Sequence, residues 1–268
     1  MIDVPMIKAS ATAGALQAAR QERRKVTPLG PLAPADEREG YAAQRAVADA
    51  AGAAPPAGFK VGATNQAMQA YLGVAAPAAG FIAASGVYAS GVTTRFDAWL
   101  SPGVECEIAL RLGRDLASDG TAPDRATAAA AVEAVLPAIE IVENRYVDIP
   151  SIGAPTLIAD RFFHAAAVLG PETRIDAEDI ASGALARLAG RMTIDGKVFG
   201  TGEGSALMGD PLAVLCWLAG SEAALAFGGL RAGQVVLCGS VTLPAWLDGP
   251  AAVEVAFDGL GAATVRFA

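Results

Sequence analysis

The chain has 268 residues, of which 53% are hydrophobic and 18% are charged, and its formal net charge is −8. This length and composition are typical of a globular protein with a sizeable core, and they exclude a largely disordered chain. The acidic balance and the lack of a basic cluster argue against nucleic acids and anionic membranes as partners.

The cysteines Cys106, Cys216 and Cys238 all lie in apolar runs and are odd in number. This pattern predicts reduced, buried thiols in a cytoplasmic protein, and the lack of CxxC spacing argues against a zinc site. We expect no signal peptide, because no basic segment followed by an apolar core opens the chain. The mostly apolar stretch 211–227 is too short and too interrupted by polar residues to span a bilayer.

The N-terminal part of the chain is predicted to be helical. Residues 9–25 form a helix with a basic C-terminal end, and a second helix begins after Asp36, with Glu39 three residues later as in a capping box. We interpret these helices as a cover over a later core. The chain is therefore predicted to consist of an N-terminal helical segment, 1–56, packed on a larger domain, 57–268, in one structural unit.

A short buried strand is predicted at residues 58–62, and it contains Lys60. Because burying an unpaired ammonium group is costly, this side chain either reaches solvent or faces an anionic pocket. Thr64 is a candidate N-cap for the short helix that follows, 65–72.

Two carboxylates lie inside the apolar run 104–110, at Glu105 and Glu107. Side chains alternate along a strand, so these two point to one face. Neighbouring carboxylates repel each other, and a bound cation would let both stay ionised. The alternative is a solvated face of an edge strand.

Asp124 is predicted to begin a helix over 125–135, and a strand follows at 136–144. Glu140 lies in the middle of this apolar run, where a carboxylate normally has a partner. Glu143 has the opposite parity and is interpreted as peripheral. Three carboxylates without histidine or cysteine favour Mg²⁺ or Mn²⁺ over zinc, and Lys60 nearby would offer a positive group to an acidic substrate.

Several C-terminal features complete the pattern. His164 is the only histidine, which excludes three-histidine metal sites, and its position beside two phenylalanines is more typical of a structural role than of an acid–base role. The glycine-rich stretch 200–204 is predicted to be a loop without the Lys-Ser/Thr of a phosphate-binding loop. A hairpin is predicted around Asp195-Gly196, and two final strands at 251–257 and 262–267.

These residues carry a resemblance to a known family. The chain resembles the 2-keto-4-pentenoate hydratase/4-oxalocrotonate decarboxylase family, whose members are relatives of fumarylacetoacetate hydrolase. Each matching segment is short, but together they follow the family order over nearly the whole chain. The segments are YAAQ (41–44), GFKVGAT (58–64), LGV (72–74), VECEIA (104–109), GRDL (113–116), PAIEIV (137–142), 202–209, WLA (217–219) and 230–240.

The resemblance implies an α+β fold, a mixed β-sandwich roll of the fumarylacetoacetate hydrolase type with N-terminal and peripheral helices. It also implies a Mg²⁺ or Mn²⁺ ion held by Glu105, Glu107 and Glu140. In that family the cation binds the carboxylate and 2-oxo oxygens of a 2-oxo acid and stabilises the enolate. The implied catalytic residues are these three glutamates and Lys60. The substrate-binding residues are predicted to be Lys60, Asp160, Arg161 and Ser240.

The implied activity is hydration of a 2-hydroxydienoate or 2-oxoalkenoate to a 4-hydroxy-2-oxo acid by a homo-oligomer. Alternatives are a decarboxylase of the 4-oxalocrotonate type, a C–C hydrolase with His164 as its candidate base, and a divergent protein that only binds a metal and a small acid. Two segments depart from the family pattern. Residues 77–80 read PAAG where many members have PDFG, and residues 160–163 read DRFF where many have DNAS. Arg161 could bind a second substrate carboxylate or pair with a neighbouring acid.

Overall fold

The computed structural model describes residues 4–268, apart from the side chains of Val4, Pro5 and Ala67. Residues 1–3 of the predicted N-terminal segment lie outside the described residues. The α-helices are α1 (Val4–Gln21), α2 (Glu37–Ala50), α3 (Gln66–Leu72), α4 (Arg125–Ala131), α5 (Ile149–Ile152), α6 (Ala154–Ala159), α7 (Ala177–Ala181), α8 (Pro211–Ala219) and α9 (Glu222–Phe227). The strands are β1 (Gly58–Gly62), β2 (Ala78–Ile82), β3 (Val87–Ala89), β4 (Val92–Thr94), β5 (Pro102–Leu112), β6 (Val132–Glu143), β7 (His164–Leu169), β8 (Ala189–Ile194), β9 (Lys197–Glu203), β10 (Val235–Ser240), β11 (Ala245–Trp246), β12 (Ala251–Phe257) and β13 (Gly261–Phe267).

The strands form two sheets. The larger sheet has the order β2-β1-β10-β5-β6-β7-β3, with β11 also paired to β5, and it mixes parallel and antiparallel neighbours. The smaller sheet has the order β4-β13-β12-β8-β9. Its β8–β9 hairpin turns at Asp195 and Gly196, both at positive φ, as the sequence predicts. Two mixed sheets with peripheral helices confirm the predicted α+β class.

The centre of the larger sheet is formed by the long antiparallel strands β5 and β6. Both carry nearly continuous apolar sequence and are buried along most of their length, as expected for strands covered on both faces. A polar side chain on either strand is therefore removed from bulk water, and its interactions depend on the neighbouring strands.

Helix α2 connects the N-terminal part to the edge of this sheet. Asp36 accepts a hydrogen bond from Glu39 N at 2.9 Å, which confirms the predicted cap. Gln44 is buried; its amide nitrogen donates to the Ala79 and Ile158 carbonyls, and its oxygen accepts from Phe81 N. The free edge of β2 is thus closed by a helix side chain. The boundary predicted at residues 56/57 stays a prediction.

Four local predictions are corrected by the structure. The predicted helix 9–25 ends at Gln21, and Arg23 follows at positive φ. Helix α4 stops at Ala131, and residues 132–135 belong to β6, because pairing with β5 outweighs the helix preference of the preceding alanines. Asn65, rather than Thr64, caps α3 by accepting from Met68 N at 2.9 Å. Residues 200–203 of the expected loop belong to β9.

Over residues 4–268, none of the helices is both long enough and apolar enough to cross a membrane.

Candidate metal centre and its cavity

The register of β5 and β6 brings three carboxylates together. Glu105 lies directly opposite Glu140, and Glu107 lies two residues further along the same face of β5. The three residues each offer an oxygen within 4.8 Å of the others. We call Glu105, Glu107 and Glu140 the carboxylate cluster. The structure therefore brings the three sequence-predicted ligands to one place.

Burial makes three ionised carboxylates unfavourable at this position. Glu107 and Glu140 are fully buried, whereas Glu105 is partly exposed. Burial, followed by the charge of Glu140, raises the pKa of Glu105 to about 8, although Lys60 acts in the opposite direction. Burial and the other two carboxylates raise the pKa of Glu107 well above its ordinary value. A cation at this position would allow all three groups to ionise.

The hydrogen bonds that neighbouring residues donate to the cluster leave one oxygen of each fully buried carboxylate without a partner. Glu107 Oε2 accepts from Gly239 N at 2.5 Å, and Glu140 Oε1 lies 2.8 Å from His164 Nδ1. Among the described residues, Glu107 Oε1 and Glu140 Oε2 have no hydrogen-bond partner. Unpaired buried carboxylate oxygens are costly, and hard divalent cations prefer oxygen ligands. The donor set therefore fits Mg²⁺ or Mn²⁺.

His164 supports this cluster from β7. Burial, with the charges of Arg161 and Lys60, lowers the pKa of His164 well below its ordinary value. A neutral imidazole has one N–H, and the contact with Glu140 is best formed when Nδ1 carries it and donates to the carboxylate. Sequence reasoning favoured a general structural role for His164 and missed its specific contact with Glu140.

Lys60 faces the carboxylate cluster. Its Nζ atom lies 3.5 Å from Glu140 Oε1 and 5.0 Å from the centre of the Phe162 ring, and the residue is 2% exposed. Of the two arrangements considered for this lysine, the structure has the one in which it faces an anionic pocket. An ammonium group here offsets part of the repulsion between the carboxylates.

A cavity of about 340 Å³ opens beside Lys60 and Glu105. We call it the first cavity. Its other walls are mostly apolar or aromatic: Gly62, Ala63, Met68, Tyr71, Leu72, Val142, Asn144, Ile149, Phe162, Phe163, Pro244 and Trp246. This volume suits a small organic molecule, and the combination of apolar walls and a few convergent polar groups is typical of ligand sites. The sequence interpretation noted Phe162 and Phe163 as unusual, but it did not find the other wall residues, because they come from segments distant in the chain.

The other predicted substrate-binding residues have different surroundings. Ser240 Oγ accepts from Cys106 N at 3.0 Å, and Ser240 does not line the first cavity. Asp160 is buried in an ion-pair cluster with Arg20 and Arg145. Arg161 lines a second, separate cavity. Lys60 is the predicted substrate-binding residue that lines the first cavity.

Glu143 lies outside the carboxylate cluster and accepts from Leu100 N at 2.5 Å.

Comparison with known proteins identifies the family to which the chain belongs. The family model described as "Fumarylacetoacetate (FAA) hydrolase C-terminal" matches residues 59–268. The chain belongs to the fumarylacetoacetate hydrolase family. The resemblance inferred from sequence motifs and the predicted roll are thereby confirmed.

Three relatives illustrate the similarity. The chain is 31% identical to 2-keto-4-pentenoate hydratase 1 of Dechloromonas aromatica over 100% of both chains. It is 33% identical to a 2-keto-4-pentenoate hydratase of Paraburkholderia phymatum over 95% of each. Its structure is similar to that of 4-oxalocrotonate decarboxylase from Pseudomonas putida G7, solved with magnesium and adipate, with a TM-score of 0.84, 23% identity and 97% of each chain covered.

Proposed function

We propose that this protein is a metal-dependent hydratase that converts a 2-hydroxydienoate into a 4-hydroxy-2-oxo acid. The observation that carries the proposal is the convergence of Glu105, Glu107 and Glu140 within 4.8 Å, next to Lys60 and a cavity for a small molecule. The full-length relatives named 2-keto-4-pentenoate hydratase support the choice of reaction.

Glu105, Glu107 and Glu140 would hold the divalent cation, Mg²⁺ or Mn²⁺. When bound, such an ion supplies Lewis-acid polarisation of the 2-oxo group of the substrate. Gly239 N and His164 would hold two of the three carboxylates in place by donating hydrogen bonds to Glu107 and Glu140. These donors leave Glu107 Oε1 and Glu140 Oε2 available as ligands.

Lys60 would bind the substrate carboxylate. Its ammonium group lines the first cavity and lies beside the carboxylate cluster, so it places an acid group next to the metal site. The rings of Phe162, Phe163 and Trp246 would contact the hydrocarbon part of the substrate. Lys60 and the aromatic walls together would orient one end of a small acid toward the cluster.

The reaction balances without a redox partner. Ketonisation moves the proton of the 2-hydroxyl group to C5 and leaves a C3=C4 bond conjugated with the 2-oxo group. Water then adds its hydroxyl group at C4 and a proton at C3. The 2-hydroxyl proton and the proton added at C3 both lie next to the 2-oxo end of the substrate, which the Lys60 ammonium would hold near the carboxylate cluster, whereas C5 is protonated at the opposite end.

The test is incubation of the Mg²⁺-loaded protein with 2-hydroxypenta-2,4-dienoate. We expect loss of dienoate absorbance and formation of the 4-hydroxy-2-oxo acid, identified by NMR. Glu105→Gln should weaken Mg²⁺ binding and abolish turnover, whereas Glu143→Gln, a buried glutamate outside the cluster, should leave both nearly unchanged. Unchanged metal affinity and turnover in Glu105→Gln would show that the proposal is wrong.

Decarboxylation of 4-oxalocrotonate is the second candidate. The observation that favours it is that the phenyl rings of Phe162 and Phe163 line the first cavity, where many family members have small polar residues. Apolar walls suit decarboxylation better than hydration, because decarboxylation needs no added water. Release of CO₂ from oxalocrotonate without hydration of the dienoate would support this candidate. Binding of both acids without turnover would support a binding protein instead.

We further propose that the protein is a cytoplasmic homo-oligomer. The free cysteines Cys106, Cys216 and Cys238 support a reducing compartment, and the exposed Leu243 and Trp246 offer apolar surface to a second copy. Sedimentation velocity tests the oligomeric state, and a concentration-independent monomer would contradict it.

A further inference from the structure

A second cavity of about 250 Å³ lies between the N-terminal helices and the larger sheet. Its lining includes Gln17, Arg20, Phe81, Ser85, Tyr88 and Arg161. The segment 161–163 contributes to both cavities, because Arg161 lines the second cavity whereas Phe162 and Phe163 line the first. All three residues have positive φ values, 66°, 50° and 70°, which fixes the direction of each side chain in a left-handed turn.

Arg161 is a buried cation without a protein partner. It is 8% exposed, and among residues 4–268 its side chain forms neither a hydrogen bond nor an ion pair. Its guanidinium carbon lies 5.3 Å from the centre of the Phe81 ring, which also lines the second cavity. Stacking on a ring provides no acceptor, and Arg161 Nε is buried without a hydrogen-bond partner among the described residues.

Asp160, the residue before Arg161, already forms ion pairs with two other arginines. Asp160 contacts Arg20 at 3.2 Å through Oδ1, and its Oδ2 lies 3.3 Å from Arg145 and 3.2 Å from the Tyr146 hydroxyl. Two guanidinium groups, those of Arg20 and Arg145, thus already contact this carboxylate. Burial, followed by the charge of Arg20, lowers the pKa of Arg161 to about 9, which still leaves it protonated at neutral pH.

We propose that the second cavity binds the oxyanion of a small molecule, a carboxylate or a phosphate monoester, through Arg161. The guanidinium offers paired N–H donors of the geometry that such groups accept, and Arg20 adds positive charge on the same lining. Gln17 and Ser85 supply further polar groups for the ligand. This site is distinct from the first cavity, and it does not depend on the proposed hydration activity.

The test is isothermal titration of the Mg²⁺-loaded protein with succinate and, separately, with inorganic phosphate, at constant ionic strength. Saturable binding of succinate alone would assign a carboxylate, and binding of phosphate alone would assign a phosphate ester. Arg161→Asn should weaken binding roughly tenfold or more, since it removes charge-assisted hydrogen bonds, and asparagine tolerates positive φ. Arg161→Lys should give an intermediate loss, because it keeps the charge and removes the paired donors.

Two controls separate this site from other anion binding. Glu105→Gln alters the carboxylate cluster and should keep anion binding at Arg161. This variant therefore distinguishes failure of the proposed anion site from failure of the proposed hydratase function. Arg174→Asn removes an exposed arginine and should leave binding unchanged. The proposal is overturned if neither anion binds the wild type, or if Arg161→Asn binds as tightly as the wild type. It is also overturned if the wild type is an oligomer that binds no added anion and Arg161→Asn dissociates that oligomer. A second copy of the chain would then supply the hydrogen-bond acceptor for Arg161.

Discussion

His164 Nδ1 lies 2.8 Å from Glu140 Oε1, and both side chains are almost completely shielded from solvent. Burial lowers the pKa of His164 well below its ordinary value, which favours the neutral imidazole, and an N–H on Nδ1 then donates to one carboxylate oxygen and leaves Glu140 Oε2 without a partner among the described residues. The histidine thereby fixes the orientation of a proposed metal ligand without contacting the first cavity.

His164→Ala should lower the affinity for Mg²⁺ or Mn²⁺ by roughly 10- to 100-fold, the usual effect of removing a hydrogen-bond partner of a metal ligand. Turnover should recover at high metal concentration, since His164 is a positioning residue. His164→Gln, which can restore a donor, should regain part of the affinity. Titration calorimetry with Mn²⁺ measures these differences, and equal affinities in wild type and His164→Ala would refute the role.

The pH dependence of stability should reverse when the metal is removed. The pKa of Glu105 is about 8 in the folded metal-free protein and near 4.5 when unfolded, so the folded state binds more protons between these values. Stability present at low pH is therefore lost as pH rises toward 8. The lowered pKa of His164 acts oppositely, but only below its ordinary value of 6.5.

Between pH 6.5 and 8, the free energy of unfolding in EDTA should therefore fall by about 2 kcal/mol for each carboxyl that stays protonated. In excess Mg²⁺ the free energy of unfolding should not fall over this pH range, because fewer protons then compete with the ion for the carboxylate oxygens. Urea denaturation at several pH values measures both curves. Glu105→Gln should flatten the EDTA curve, and a flat curve for the wild type would contradict the prediction.

The ion pairs of Asp160 should contribute to stability. Asp160→Asn leaves Arg145, which is 3% exposed, without a carboxylate partner and should cost about 3–5 kcal/mol. Asp97→Asn breaks a solvent-exposed pair with Arg95 and should leave the free energy of unfolding nearly unchanged. Urea denaturation compares the two variants. If Asp160→Asn instead raised KM at unchanged stability, Asp160 would contact the substrate, as the sequence analysis proposed.

Strand periodicity was sufficient to predict that Glu105 and Glu107 share a face, because alternation is a property of the backbone. The contact of His164 with Glu140 depends on an irregularity that the sequence does not reveal. The register of β6 and β7 pairs Ile141 with Ala166 but Val142 with His164, so one residue of β7 is skipped. Without this bulge, His164 would point to the opposite face of the sheet.

The segment 161–163 was beyond prediction for a related reason. Three consecutive residues other than glycine at positive φ are individually unfavourable, and only the surrounding packing makes the turn stable. One packing condition is Gly80, where a Cβ would lie 2.2 Å from the Arg161 carbonyl oxygen. Sequence reasoning noticed Arg161 and the two phenylalanines as unusual, but it could not divide them between two cavities.

Gly62→Ala should impair substrate binding more than metal binding. A Cβ at Gly62 would lie 2.9 Å from the Phe162 ring and 3.2 Å from Lys60 Nζ, so the ring or the ammonium group must shift within the first cavity. Overpacking of this kind costs about 1–3 kcal/mol of stability. We expect a raised KM for the dienoate and an unchanged dissociation constant for Mg²⁺, because Gly62 does not belong to the carboxylate cluster.

Gly14→Ala is the matched control for this substitution. Gly14 lies within α1, and a Cβ there would have no neighbour within 4 Å, so the change should stabilise the protein by about 0.5–1 kcal/mol without altering kinetics. Steady-state kinetics, metal titration and urea denaturation of the two variants give the comparison. An unchanged KM in Gly62→Ala would mean that substrate does not contact Lys60 or Phe162, and the first cavity would then have no role in binding it.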